Sequence, residues 1–91
     1  MVSRGEIGVV DFAGAGMPKK IRPVLVLQAD LYNRRMTNTV VAMITTNLAR
    51  ASEPSHLLID LDTADGKQSG LLHTSVVNCN TLTTVRQDEV L

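Results

Sequence analysis

Arg22 is the side chain in this sequence best suited to grip a phosphate. A guanidinium offers five donors in a planar fork, stays charged at any working pH and pairs two phosphate oxygens at once. Arg22 stands where a loop containing the paired Lys19 and Lys20 gives way to the apolar run PVLVLQ, with Pro23 fixing the backbone behind it. Taken alone, the residue reads more readily as an arginine capping the end of a sheet. Thr45 closes the apolar run that starts at Val40. There a side chain begins to emerge from the core, and its hydroxyl can donate to a phosphate oxygen. Thr46 should point to the opposite face, since strand side chains alternate. Both threonines are also ordinary β-formers. His56, set among apolar strand residues, is expected to be a satisfied structural group, and His73 to lie on the surface. Neither has a partner at zinc-like spacing, so no metal or other cofactor is expected. Cys79, flanked by Val76 and Val77 on one side, is expected to be buried and inert. Asn78 and Asn80 cannot act as bases but can hydrogen-bond a base edge or a ribose.

Strands must position these groups. Residues 6–12 form a short segment in which β-branched residues dominate, and residues 13–21, with two glycines, a proline and two lysines, read as a mobile loop. PVLVLQ is too apolar for a one-sided strand and predicts one covered on both faces, with Pro23 at its first residue. Residues 30–33 suit a helical turn with Asp30 as N-cap. Strands follow at 39–46, 55–60 and 75–80, with 82–85 extending the sheet, a polar loop at 47–54 and a turn-rich stretch at 62–70. Residues 85–91 could start a helix. So many strands with no long helix predict a mainly β fold, a small strongly bent sheet or partial barrel.

The bulk properties narrow the function classes. A chain of 91 residues makes a single domain, 1–91. Only Phe12 and Tyr32 are aromatic, so the core must be aliphatic. Two rings are too few for base stacking along a single strand or for an aromatic peptide groove. One cysteine excludes an internal disulfide and fits a reducing compartment. No apolar run reaches membrane-spanning length and residues 1–5 lack a signal-peptide stretch, so a cytoplasmic location is expected. Net charge is zero but uneven. Residues 1–50 carry seven basic groups against three acids, and residues 51–91 two against six. A dipolar chain of this kind could hold an anion on one face; scattered solvated charge would give the same count.

Five segments together resemble one known family. An RGEI opening (4–7), RPVLV followed by Q-x-D-x-x-N (22–33), A-x-I-T (42–45), P-S-H (54–56) and S-V-V-x-C (75–79) occur in that order. Each is weak alone. As a set they span nearly the whole chain and resemble the MazF/PemK toxins. The resemblance implies a small SH3-like partial barrel of the CcdB/MazF type with short helical turns. It implies an mRNA interferase, a toxin–antitoxin endoribonuclease that cuts single-stranded RNA to a 2′,3′-cyclic phosphate and a 5′-hydroxyl without a metal. It also implies a homodimer neutralised by a MazE-like antitoxin. By the same resemblance Arg22 and Thr45 are the catalytic residues, and Lys19, Lys20, Thr46, Asn78 and Asn80 are taken as RNA-binding.

The sequence departs from that family in places. The S-E-Q-x-G stretch of the first loop has no counterpart here, where GMPKK stands instead. Asn78 and Asn80 replace an Arg and an Asp that some members carry, and Thr83 replaces a frequent Arg. No proton acceptor stands at the expected places. A catalytically weak relative that binds antitoxin or RNA is therefore an alternative, and a CcdB-like gyrase poison a more distant one. Relatives continue past the position of Leu91 into an amphipathic helix, so the present ending is expected to leave apolar surface that another subunit covers.

Overall fold

The structure is a computed structural model and describes residues 1–12 and 20–91. Five strands form one antiparallel sheet: β1 (Ile7–Asp11), β2 (Ile21–Val26), β3 (Asn38–Thr45), β4 (His56–Ile59) and β5 (Ser75–Arg86), in the order β1-β2-β3-β5-β4. Two short helices, α1 (Asp30–Arg35) and α2 (Ala64–Gln68), fill connections, and a 3₁₀ turn spans Gln87–Glu89. The mainly β architecture agrees with the sequence pattern. The loop expected over 13–21, Lys19 included, lies largely outside the described residues.

Valine builds the core. Val10, Val24, Val26 and Val41, with Val2 and Val85, make one cluster; Ala42, Ile44 and Val77 make a second. Val41 and Ala42 are neighbours in β3, so this central strand is buried on both faces. The double burial expected for β2 is graded instead. Val24 and Val26 are fully buried, whereas Leu25 is half-buried on the other side. β2 has only part of β3 beside it, pairing from Val24↔Met43 onward. Pro23 is the third residue of β2, not the first. It is tolerated because the β3 ladder has not begun at that level.

Three further expectations are corrected. Asp30 is the first helical residue of α1; Ala29 is the cap and has no side-chain bond to offer. The Asp30 carboxylate turns away and accepts the Arg4 backbone N–H at 2.7 Å. The turn-rich stretch 62–70 holds α2, capped by Thr63, whose hydroxyl accepts from the Gly66 N–H at 3.0 Å. Finally, β5 runs to Arg86, and a single 3₁₀ turn replaces the expected helix start. After that turn Leu91 exchanges two backbone hydrogen bonds with Val9 of β1, at 3.2 and 2.9 Å, which folds the end of the chain back onto the first strand.

The Q-x-D-x-x-N segment ties α1 to the sheet. Asn33 is only 2% exposed. Its Oδ1 accepts from Gln28 Nε2 and Thr39 Oγ1, at 2.9 and 2.8 Å. Its Nδ2 donates to the Gln28 carbonyl and the Asp30 carboxylate, at 3.0 and 3.3 Å. All four polar valences of the amide are used, as a buried amide requires.

Candidate active site

Strand register decides which candidates meet. Arg22 and Val24 lie two apart on β2, and Met43 and Thr45 two apart on β3, with Val24 opposite Met43. Same-parity residues share a face, so Arg22 and Thr45 emerge side by side where the two strands end. On the other flank Met43 is opposite Asn78 of β5, and Asn78 is opposite His56 of β4. Arg22, Thr45, Asn78 and His56 therefore stand on one face.

Two adjoining hollows run along that face. One of about 290 Å³ is lined by Arg22, Met43, Ile44, Thr45, Asn78 and Thr81. The other, of about 250 Å³, is lined by Thr45, Asn47, Ala49, Arg50, His56 and Asn78. Thr45 and Asn78 belong to both and join them into one groove with an arginine in the lining of each part. Larger hollows exist elsewhere, but they do not gather these groups.

Local bonds orient the lining. Thr45 Oγ1 accepts the Asn47 N–H at 3.1 Å, which leaves its own hydrogen free to donate into the groove. Asn78 Nδ2 donates to Thr81 Oγ1 and its Oδ1 accepts the Asn80 N–H, at 3.0 and 2.9 Å. The 47–55 loop turns in successive three-residue steps, from Arg50 to Glu53 to His56. Those three side chains interact in sequence: Arg50 Nε lies 4.0 Å from Glu53, and His56 Nδ1 lies 3.6 Å from it. The Arg22 side chain is exposed and makes no hydrogen bond or ion pair with the described residues, none of which competes with an anion for its fork.

Other candidates fall differently. Asn80 lines neither hollow, and its Nδ2 donates to Ser55 Oγ at 2.9 Å. Thr46, one residue past Thr45, lines a separate apolar hollow with Val9, Pro23, Leu71, Leu72 and His73, on the opposite face as its parity requires. Lys20 is exposed, with its N–H on Asp11. His73 is on the surface as expected. Cys79 is exposed, not buried. It lies in a bulge, residues 79–81, between the Asn78 and Leu82 pairings with β3, so strand alternation no longer carries it inward. Thr83 pairs with Val41, away from the groove.

His56 is the lining residue that sequence reasoning set aside. Its side chain is 4% exposed, and Nδ1 lies 2.8 Å from Ser55 Oγ, which does give it the structural role expected. Its place on the groove depends on facing Asn78 on the neighbouring strand. Nothing in the local sequence carries that signal. Among the described residues no three of His, Cys, Asp and Glu gather as they would around a metal ion.

The model of the PemK-like, MazF-like toxins of type II toxin–antitoxin systems matches residues 3–91. The chain belongs to that family. It is 33% identical over 93 residues to endoribonuclease MazF6 of Mycobacterium tuberculosis, covering 99% of this chain and 77% of that protein. It is 31% identical over 87 residues to endoribonuclease EndoA of Bacillus subtilis, covering 93% and 71%. Among solved structures, M. tuberculosis toxin MazF-mt6 superposes with a TM-score of 0.70 at 26% identity, covering 94% of this chain and 73% of that one. A mycobacterial endoribonuclease in complex with its cognate antitoxin gives 0.72 at 21% identity, covering 99% and 73%, a likeness of fold.

Proposed function

We propose that this chain is the toxin of a toxin–antitoxin pair, an endoribonuclease that cuts single-stranded RNA to a 2′,3′-cyclic phosphate and a 5′-hydroxyl without a metal. The observation that carries the reading is the joint placement of Arg22, Thr45 and Asn78 on one groove in a chain of this family.

In such a cleavage the RNA's own 2′-oxygen attacks the neighbouring phosphorus and the 5′-oxygen leaves. The protein must hold attack and departure in line and stabilise charge on the crowded phosphorane. Arg22 supplies a fixed positive fork for two phosphate oxygens, and the Thr45 hydroxyl a neutral donor beside it. Asn78, with Asn80 behind it, offers amide contacts to a base or ribose, and Lys19, Lys20 and Arg50 add charge for flanking phosphates. Thr46 on the far face is not assigned to this groove.

A homodimer, a MazE-like antitoxin partner and a cytoplasmic location complete the proposal. They rest on the family and, for the dimer, on exposed apolar side chains such as Leu57, Leu58, Leu72 and Leu82. Among the described residues no helix is long and apolar enough to cross a membrane. Sedimentation at low micromolar concentration reads the dimer, and a monodisperse monomer would remove it.

The rival reading, a relative that binds without cutting, draws on the absence of any carboxylate from the residues lining the groove. One experiment separates the two. Purified protein is incubated with a long RNA in EDTA and the new ends are mapped. Cyclic phosphate and 5′-hydroxyl ends are expected. Uncut RNA favours the rival; 5′-phosphate ends or a need for Mg²⁺ point to another mechanism class.

A further inference from the structure

No carboxylate stands among the described residues that line the groove, yet the attacking 2′-hydroxyl must lose a proton. We propose that His56 is the catalytic base that takes it, oriented by Glu53, Ser55 and Asn80; this rests on the endoribonuclease reading above. His56 lines the same hollow as Thr45 and Asn78. Its ring is almost wholly covered, and Nδ1 is engaged by Ser55 Oγ at 2.8 Å. Nε2 makes no hydrogen bond among the described residues, and no buried side-chain nitrogen or oxygen among them lacks a partner. Nε2 therefore touches solvent, and the hollow that His56 lines is the one it shares with Thr45 and Asn78.

The surroundings select the useful tautomer. A neutral imidazole carries its hydrogen on one nitrogen only, and the base must be the other. The Glu53 carboxylate lies 3.6 Å from Nδ1. A hydrogen on Nδ1 is attracted by that negative charge, whereas a lone pair there is repelled by it. Ser55 Oγ already accepts from Asn80 Nδ2 at 2.9 Å and has a second lone pair to accept the Nδ1 hydrogen. With Nδ1 protonated, the Nε2 lone pair faces the groove. Arg50 sits 4.0 Å from Glu53, and Arg22 lines the adjoining hollow with Thr45; with Glu53 these are the charged groups among the described residues that line the two hollows or pair with that lining.

The step balances without a co-reactant. The 2′-oxygen forms a bond to phosphorus as its proton passes to Nε2, and the bond from phosphorus to the 5′-oxygen breaks. The leaving oxygen takes a proton from water, and the imidazolium returns its proton to the hydroxide so formed. Glu53 stabilises the imidazolium in between. Glu53, Ser55 and Asn80 are positioning residues in this scheme.

His56→Asn is the discriminating variant, because its amide keeps a polar atom near Ser55 while Nε2 is lost. Cleavage should fall by about 10²–10⁴, the usual contribution of a general base, with RNA binding retained. His56→Ala should behave alike and recover cleavage when free imidazole is added, which a merely structural residue would not do. Both variants should also lose the base-dependent part of the pH profile of kcat/KM. Glu53→Gln, at an exposed side chain that leaves the core intact, should lower kcat without raising KM and by less than His56→Asn. Near wild-type cleavage by His56→Asn would overturn the proposal. So would loss of RNA binding in step with activity and no response to imidazole. If the unsubstituted protein leaves RNA uncut, it is the endoribonuclease reading that fails, a result distinct from either.

Discussion

Asn33→Ala should be among the most destabilising single changes in this chain, though Asn33 lies outside both hollows of the groove. The substitution leaves Thr39 Oγ1, which is fully buried, without its acceptor, and strips the Gln28 carbonyl of its Nδ2 donor. Gln28 Nε2 keeps the Asn38 carbonyl at 2.9 Å, so it is only half orphaned. A buried group left unsatisfied costs about 1–3 kcal/mol. One fully buried orphan and two less buried groups that each lose a partner, plus the small void left by the amide, give about 2–4 kcal/mol. A domain of this size has roughly 5–15 kcal/mol in total. At about 4–8 °C per kcal/mol the melting temperature should drop by about 8–30 °C.

Thermal unfolding followed by far-ultraviolet circular dichroism measures this, with urea unfolding as a check. Thr39→Val supplies the second leg of a cycle. It removes the orphaned hydroxyl, so the double variant should be less destabilised than the two single costs added together, by about 0.5–3 kcal/mol. A melting temperature within about 3 °C of the unsubstituted protein would refute the claim that the amide's four bonds hold α1 to the sheet. Strict additivity would refute the claim that Thr39 and Asn33 act as a pair.

Two other outcomes are expected. Arg22→Ala should cut RNA about 10²–10³-fold more slowly with the fold intact, because an exposed cation is lost and no core group; Thr45→Ala should cost less, and the reverse ranking in steady-state rates would exchange their roles. For Asp30, the hydrogen bond from the Arg4 backbone N–H, then that from Asn33, then the charges of Arg34 and Arg4 hold its carboxyl below the ordinary value of 3.8. A lowered folded value means that the ionised form stabilises the fold above that pH, and the contribution disappears as pH falls through the folded value. Asp30→Asn should therefore be less stable than the parent at pH 7. The gap should begin to close only below about pH 4, and a gap unchanged down to pH 2 in urea titrations would contradict it.

The strands were legible because their apolar runs are short, β-branched and bounded by turn residues. Thr45 and Thr46 were separable for the same reason: period-two alternation sends neighbours to opposite faces, and the groove and the Leu71–Leu72 hollow divide them. What the sequence withheld was register. Asp30 has the residue type of a cap, but its carboxylate is drawn to Arg4, 26 positions away. Cys79 looked buried because Val76 and Val77 precede it, and a bulge between them and Leu82 breaks the alternation on which that expectation relied. His56 looked structural because the apolar Leu57–Ile59 follow it in the chain; its partner across the sheet is the polar Asn78.

That bulge joins the fold to the site. Ala42 and Met43 are adjacent on β3, yet their partners on β5 are Leu82 and Asn78, with residues 79–81 looped out between. A regular ladder would alternate these residues between the two faces of the sheet. The bulge instead keeps Asn78 opposite both Met43 and His56, lets Thr81 turn back along the Arg22 hollow to receive the Asn78 amide, and brings Asn80 against Ser55. One local irregularity thus supplies the polar lining between Arg22 and His56 and the brace behind the imidazole. Bulges re-aim side chains in this way at functional sites, at the cost of a few ladder bonds. Here the fully buried Val76 and Val77 on one side and the buried Val85 on the other anchor β5 across the gap. The polar residues of the bulge are left free to serve the groove, while the flanking valines hold the strand in place.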